Sequence, residues 1–361
     1  MTDNMAPPLA PPIAPSEKSK KEEKDDGEKE YYSYNKRYAP GPKLALGTAF
    51  GPEKTRPLWI MSKSSENIAK RWLKRAKMLD HAARVDEHKH LDDRKYHKTF
   101  VASDNNPRRN RETFTGEHPC QDHHRIVLKF PGLRSDYIHA NYVGTTPDDP
   151  RRFICTQSPT CMTAHAFWAM IIQEKVEMIV CLDKQPDGYF HRYWPITSFC
   201  HYYGGKSQPM KVSFIQQIDK IISTPLINGG IFENELTGYH LKIEWGEKEE
   251  RQLHVFELKN INEYYLDAQI LDMVLLTWTF KSPVVVHCGS GVGLTGTFVA
   301  IATIHEKLLY NKECSYVPSI VRYIRRQRHQ MVYTYRHYEL IYQAIIYFLK
   351  SKCGYTDHIK E

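Results

Sequence analysis

Between Ser64 and Leu91 the apolar residues recur at three- and four-residue spacing. Ile68, Trp72, Ala76, Leu79 and Ala83 make one stripe, which predicts an amphipathic helix. Downstream the pattern shortens into strand-like segments at Arg125–Phe130, Tyr137–Val143, Arg152–Thr156, Met178–Leu182, Met210–Ile218, Tyr239–Trp245 and Gln252–Leu258. Their β-branched and aromatic residues suit a half-buried or fully buried pleat. A helix is expected over Ala164–Lys175, between two of these strands. After residue 264 the expected order is helix (Leu266–Thr279), strand (Val284–His287), loop, and helices at Thr295–Tyr310, Pro318–Gln330 and His337–Lys350. Pro318 suits the first helical position, where its missing N–H costs nothing. Strands interleaved with helices predict an α/β fold of mixed α+β character, with a highly twisted mixed sheet flanked by helices on both sides.

The loop after the last strand carries the candidate chemistry. Residues 284–297 read Val-Val-Val-His-Cys-Gly-Ser-Gly-Val-Gly-Leu-Thr-Gly-Thr. Gly289, Gly291 and Gly293 let backbone N–H groups converge on one point, and the following helix adds its positive dipole end. Such a loop can cradle a phosphate, and the same groups would stabilise a thiolate on Cys288 at the strand end.

This segment resembles the His-Cys-x5-Arg-Ser/Thr signature of the classical protein tyrosine phosphatases. Other stretches carry the resemblance in order from about Asn110 to Phe348. Ser135-Asp136-Tyr137-Ile138-His139-Ala140-Asn141-Tyr142 is similar to the family's Asp-Tyr-Ile-Asn-Ala-Asn strand. Phe153-Ile154-Cys155-Thr156-Gln157-Ser158-Pro159 is similar to its Tyr-Ile-Ala-x-Gln-Gly-Pro. Phe167-Trp168-x-Met170, Val176-x-x-Ile179-Val180, Arg192-Tyr193-Trp194-Pro195, Met331-Val332-x-Thr334 and Tyr338-x-x-Ile341-Tyr342 match further family positions. The resemblance implies a cysteine-phosphatase type fold and a phosphate loop built from His287, Cys288, Gly289, Ser290, Gly291, Val292, Gly293, Leu294 and Thr295. It implies that Cys288 holds the nucleophile position, that His287 orders the loop, and that Thr295 bonds the thiolate or caps the helix.

The departures fall on the chemistry. Where the family has a phosphate-gripping arginine, this chain has Leu294, which neither donates a hydrogen bond nor carries charge. Where the family has its Trp-Pro-Asp acid loop, alignment of Leu253-His254-Val255-Phe256 places Asn260, Ile261 and Asn262. Asparagine cannot protonate a leaving tyrosyl oxygen, although Glu263 and Asp267 stand nearby as displaced acids. Tyr333 occupies the place of the water-orienting glutamine, and Glu112 that of the substrate-stacking tyrosine, with Phe114 a register-shifted substitute. The expected function is that of an inactive relative of the enzymes, a pseudophosphatase that binds phosphotyrosine or acidic protein segments in signalling. The alternative is an active, divergent phosphatase that dephosphorylates phosphotyrosine through a Cys288 phosphocysteine. Enzymatic status is left open.

Composition changes little in this picture. Residues 1–57 combine a Pro/Ala tract with the Lys/Glu/Asp run Ser16–Glu30 and Tyr31-Tyr32-Ser33-Tyr34, which predicts a disordered N-terminal tail. The phosphatase-like domain is expected over 58–352 and a short tail over 353–361. The net charge of +8 favours phosphorylated or acidic protein segments as partners. Arg322, Arg325, Arg326 and Arg328 offer either a basic rim or a solvated helix face. No nucleic-acid motif, membrane span or secretory signal is read, and no cofactor is expected. The eight scattered cysteines suit a reducing compartment, so cytosol or nucleus is expected. His118-x-Cys120-x-x-His123-His124 has metal-ligand residue types without the spacing of a zinc module, so no metal is assigned.

Overall fold

The computed structural model describes residues 63–91, 98–110, 118–182, 191–204, 209–225, 231–258, 266–280 and 283–355. The tail assigned to 1–57, its boundary with the domain, and residues 356–361 lie outside the described residues.

The stripe at the start of the domain forms two helices, α1 (Lys63–Met78) and α2 (His81–Lys89), where the spacing alone predicted one. Asp80 makes the break: its carboxylate accepts from the Ala83 N–H at 2.8 Å and caps α2, which competes with continuing α1. A short helix, α3 (Val101–Asp104), and a 3-10 turn (Pro107–Arg109) follow, neither foreseen from the sequence. Next come β1 (Arg125–Val127), β2 (Tyr137–Val143), β3 (Phe153–Gln157), α4 (Ala164–Gln173) and β4 (Met178–Cys181). The chain continues through β5 (Cys200–Tyr203), β6 (Met210–Pro225), β7 (Ile231–Trp245) and β8 (Glu249–Leu258). Then follow α5 (Leu266–Thr277), β9 (Val284–Cys288), α6 (Leu294–Leu309), α7 (Val317–Gln327) and α8 (Tyr335–Tyr347).

The strands form one mixed sheet of nine in the order β1-β2-β3-β9-β4-β8-β7-β6-β5. Its centre is parallel: β9 lies between β3 and β4, and β4 pairs with β8. Both margins are antiparallel. Parallel strands covered on both faces read as continuous apolar runs, as Val284-Val285-Val286 and Met178-Ile179-Val180 do. The pleat sends alternate residues to opposite layers. Val284, Val286, Met178 and Val180 join the core beneath α1, α5, α6, α7 and α8. Val285 and Ile179 join the core beneath α4, with Trp168, Tyr193 and Trp194. This sandwiching holds β9, and hence the Cys288 loop, at the centre of the sheet between the two cores.

Three segments run differently from the sequence pattern. β6 and β7 are much longer than the runs Met210–Ile218 and Tyr239–Trp245, because each pairs with the other along its whole length. Gln216, Gln217, Asp219 and Lys220 hide this extension by breaking the apolar alternation. β5, at the sheet margin, has no fully buried residue and so leaves no apolar signal.

Candidate functional site

β9 ends at Cys288, and α6 begins at Leu294. The segment between them is held from four directions. From β3, the Ser158 N–H donates to the Cys288 carbonyl at 2.9 Å and to the Gly289 carbonyl at 3.1 Å. From the C-terminal side, the Val332 N–H donates to the Val292 carbonyl at 2.9 Å. From the Tyr-Trp-Pro corner, the Tyr193 hydroxyl lies 2.7 Å from His287 Nε2 and anchors a fully buried ring. From the end of α7, Arg328 reaches under the loop.

Arg328 is 1% exposed, and its guanidinium is spent on supporting groups. Nε donates to the Gly291 carbonyl at 2.7 Å, and Nη2 donates to the Ser290 carbonyl at 3.2 Å. Nη1 donates to Asn141 Oδ1 at 2.8 Å, and Nη2 also faces His139 Nδ1 at 3.1 Å. Among the described residues no protein acceptor takes the amides of Ser290, Gly291, Val292 or Gly293. Together with the N-terminus of α6 they are donors of the kind that can hold an anion.

Gly291 has φ +73°, and a Cβ there would sit 2.1 Å from the Thr156 carbonyl oxygen. The loop therefore needs glycine at that position both for conformation and for room. Gly293 meets a side chain instead: a Cβ would come within 2.4 Å of the His337 ring.

Leu294 is partly buried and packs against the core beneath α6. Its place at the cradle is thus filled by an apolar side chain with no donor. Thr295 is fully buried, and its hydroxyl donates to Cys288 Sγ at 3.2 Å. It does not cap α6; the cap position is Gly293, with no side-chain hydrogen bond. Of the two roles open to Thr295 in the sequence, the structure shows the bond to sulfur.

Tyr333 stands beside the cradle, where Val332 has φ +59° and Thr334 caps α8. Its ring meets His118 edge-on at 4.6 Å between centroids, and His118 pairs through Nδ1 with Gln330. An aromatic pair thus occupies the place at which the resemblance puts a polar amide. Glu112 and Phe114, and the acid-loop positions Asn260, Ile261, Asn262 and Glu263, lie outside the described residues. Asp267 sits in the first turn of α5, and burial pushes its carboxyl above the ordinary carboxylate range.

Arg325 and Arg328 of the arginine cluster are buried and form neither a rim nor a solvated face. Arg325 is buried and donates to the Met331, Val332 and Leu91 carbonyls at 2.7, 3.1 and 2.7 Å. Arg322 donates to the His90 carbonyl at 3.1 Å. These cations fasten α7 to its neighbours. The histidine–cysteine group also has structural employment: Cys120 Sγ lies 3.4 Å from Asn141 Oδ1, and the His123 and His124 rings meet edge-on at 3.9 Å between centroids.

His139 was not singled out in the sequence, yet it completes the Arg328 support. Its Nε2–H donates to the His118 carbonyl at 2.7 Å, which leaves Nδ1 to accept from Arg328. Burial, and then the Arg328 charge, push its pKa from 6.5 down to about 3. The unfolded chain therefore takes up a proton near pH 6.5 that the folded chain refuses until about pH 3. The contribution is complete above pH 6.5 and is lost as pH falls through that window, at about 1.4 kcal/mol per pH unit. His305 is depressed in the same way, so the parent is doubly sensitive. Urea midpoints measured from pH 7 to pH 4 are expected to fall less steeply for His139→Asn than for the parent; equal slopes would contradict the assignment.

Comparison with known proteins places this geometry. The sequence model of the protein-tyrosine phosphatase family matches residues 106–347. Tyrosine phosphatase-like protein H1 of Microplitis demolitor bracovirus (isolate Webb) is 28% identical over 262 residues, covering 66% of this chain and 72% of that protein. Human tyrosine-protein phosphatase non-receptor type 12 is 30% identical over 244 residues, covering 62% of this chain and 28% of that protein. A solved structure of PTPN18 in complex with HER2 phospho-peptides superposes with a TM-score of 0.64 at 20% identity, covering 77% of this chain and 98% of that one.

Proposed function

The chain belongs to the protein-tyrosine phosphatase family, and from that premise we propose that it is a pseudophosphatase: a binding and regulatory protein for phosphorylated or acidic protein segments. Leu294 carries this reading. The family's arginine clamps the three equatorial oxygens during phosphoryl transfer, and such a clamp is worth roughly 10³–10⁵ in rate. A leucine seated against the core supplies none of it. Asn262, aligned with the general acid, removes a further factor of about 10²–10⁴. The two losses do not simply multiply, since the groups act on one transition state. Tyr333 leaves no amide to orient a hydrolytic water.

The binding half of the proposal rests on what is retained. The loop amides, the α6 dipole and the Arg328 support make a cradle that binds an oxyanion by backbone alone. PTPN18, which shares the fold, holds phospho-peptides in its solved complex, and a phosphorylated protein is the corresponding partner proposed here. Residence in the cytosol or nucleus, where such partners and reduced cysteines coexist, is part of the same proposal. Among the described residues no helix is long and apolar enough to cross a membrane.

One observation favours the alternative of an active enzyme. Thr295 donates to Cys288 Sγ at 3.2 Å, which holds the sulfur at the mouth of the loop in position to attack phosphorus. Sulfur would displace the tyrosyl oxygen, which needs a proton, and water would then cleave the S–P bond. Asp267 or Glu263 would have to provide that proton.

Turnover of an aryl phosphate and calorimetric binding of a phosphotyrosine peptide by the full chain separate these readings. Binding without turnover supports the pseudophosphatase. Turnover that Cys288→Ser abolishes would replace it with the divergent enzyme. Absence of both would remove the cradle from the function altogether.

A further inference from the structure

His337 stands in the first turn of α8, and its neighbours fix the ring. The Thr334 N–H donates to His337 Nδ1 at 3.3 Å, and the Thr334 hydroxyl oxygen accepts from the His337 N–H at 3.3 Å, so the pair forms a capping box. The His337 carbonyl accepts from the Thr297 hydroxyl at 3.0 Å, which ties the residue to α6, the helix that leaves the Cys288 loop. The ring itself meets that loop. The three atoms nearest to a Cβ built on Gly293 all belong to His337: Cε1 first, then Nε2 at 2.8 Å and Nδ1 at 3.2 Å. The imidazole thus takes the room that the missing side chain of Gly293 leaves, one residue before Leu294.

Because Nδ1 accepts from a backbone amide, the neutral ring carries its hydrogen on Nε2. An N–H donor therefore lies beside Gly293, whose own amide is among the loop donors. A phosphoryl group brings three strong acceptor oxygens and a charge of about −1.5 to −2. The loop amides and the α6 dipole, equivalent to about half a charge, answer only part of that. Leu294 packs against the core and adds no donor. We infer that His337 Nε2–H is the side-chain donor of the anion site, standing in for the guanidinium that this chain lacks. The inference rests on the anion-binding reading above, and it names the side chain that sets how tightly a phosphorylated segment is held. Gly293 belongs to the same arrangement, since any side chain there would displace the ring.

The test titrates the full chain with a phosphotyrosine peptide at about pH 7.5, where the phosphoryl group is mostly a dianion. Binding is read by calorimetry and by heteronuclear NMR of histidine-labelled protein, with thermal unfolding to verify folding of each variant. His337→Gln keeps both groups in a Thr-x-x-Gln capping box: the carbonyl oxygen accepts from the Thr334 amide and the NH2 group still donates. It is expected to bind within about threefold of the parent. His337→Met is similar in bulk but has no donor, and is expected to bind about tenfold more weakly or worse. In the parent, the His337 Nε2–H signal, identified by its absence from His337→Gln, should shift along the calorimetric isotherm. A ring that only capped α8 would leave that signal in place. Parent-like affinity in His337→Met, equal losses in both variants, or an unmoved signal while peptide binds would each overturn the inference and leave the binding role of the loop standing. A parent that binds no peptide would overturn the anion-binding reading as well.

Discussion

Leu294→Arg is expected to raise affinity for a phosphotyrosine peptide by about a hundredfold. The figure follows from two charge-assisted hydrogen bonds, each contributing roughly 1.5–3 kcal/mol when made to an anion. Residue 294 opens α6, so its side chain starts at the positive end of the helix and beside the amides of Ser290 to Gly293. The present leucine is only partly buried, so the arginine stem can take over much of its packing while the guanidinium turns to the cradle. The loop itself needs no rebuilding, since Arg328 and the Ser158 and Val332 amides already hold its carbonyls. Adding Asn262→Asp should then bring turnover of an aryl phosphate above the parent by at least about 10³. Titration calorimetry reads the first effect and steady-state hydrolysis the second. If Leu294→Arg folds normally yet gains no affinity, the cradle amides are not aimed at a common anion, and the proposed binding role falls with them.

Arg328→Met is expected to be the most damaging single change in the fold's interior. Methionine fills much of the volume but leaves the Gly291 and Ser290 carbonyls, Asn141 Oδ1 and His139 Nδ1 facing a group with no donor. Removing one partner from a buried charged network costs about 3–5 kcal/mol. For a domain of this size each kcal/mol lowers Tm by about 2–4 °C, so a fall of about 10 °C is expected. Arg328→Lys should recover little, because a single ammonium cannot reach four acceptors held in a fork. Anion binding should fall further than stability does, since the loop carbonyls are then free to rotate inward against the ligand. Calorimetric scanning with sulfate titration checks both. A variant that keeps its Tm would show that the network is replaceable by apolar packing, as happens for some buried ion clusters.

Local signals explain why the centre of this fold could be read from the residues. Val284-Val285-Val286 is a fully buried parallel strand, three glycines follow it, and α6 begins at once. Strand, turn and helix each depend on neighbours within a few positions, so the chain spells them out. The same holds for Leu294, whose chemistry differs from arginine wherever it packs. The α1–α2 break escaped because Leu79 and Ala83 continue the stripe across it. Only Asp80's bond to the Ala83 amide, a detail of cap geometry, ends one helix and starts the next.

The arginines of α7 show where local reading stops. Arg322, Arg325 and Arg328 are the same residue type at helical spacing. Sequence offers nothing to distinguish a solvated cation from one buried against backbone carbonyls. Arg325 and Arg328 are buried because the crossing of α7 over β2 and the Cys288 loop places unsatisfied carbonyls there. For Arg328 they come from Ser290 and Gly291, far back in the chain, as His139 does; Arg325 takes Met331 and Val332 from the turn just ahead and only Leu91 from far away. In the same way the long β6–β7 ribbon arises from mutual pairing, although its polar residues break the apolar pattern. What the sequence by itself determined was the family fold, the position of the cradle and its missing cation, since these rest on residue identity and short spacing. Tertiary structure alone decided which polar groups support that cradle. That outcome depends on where buried hydrogen-bonding groups meet across the fold, and a buried charge settles only where partners repay its lost hydration.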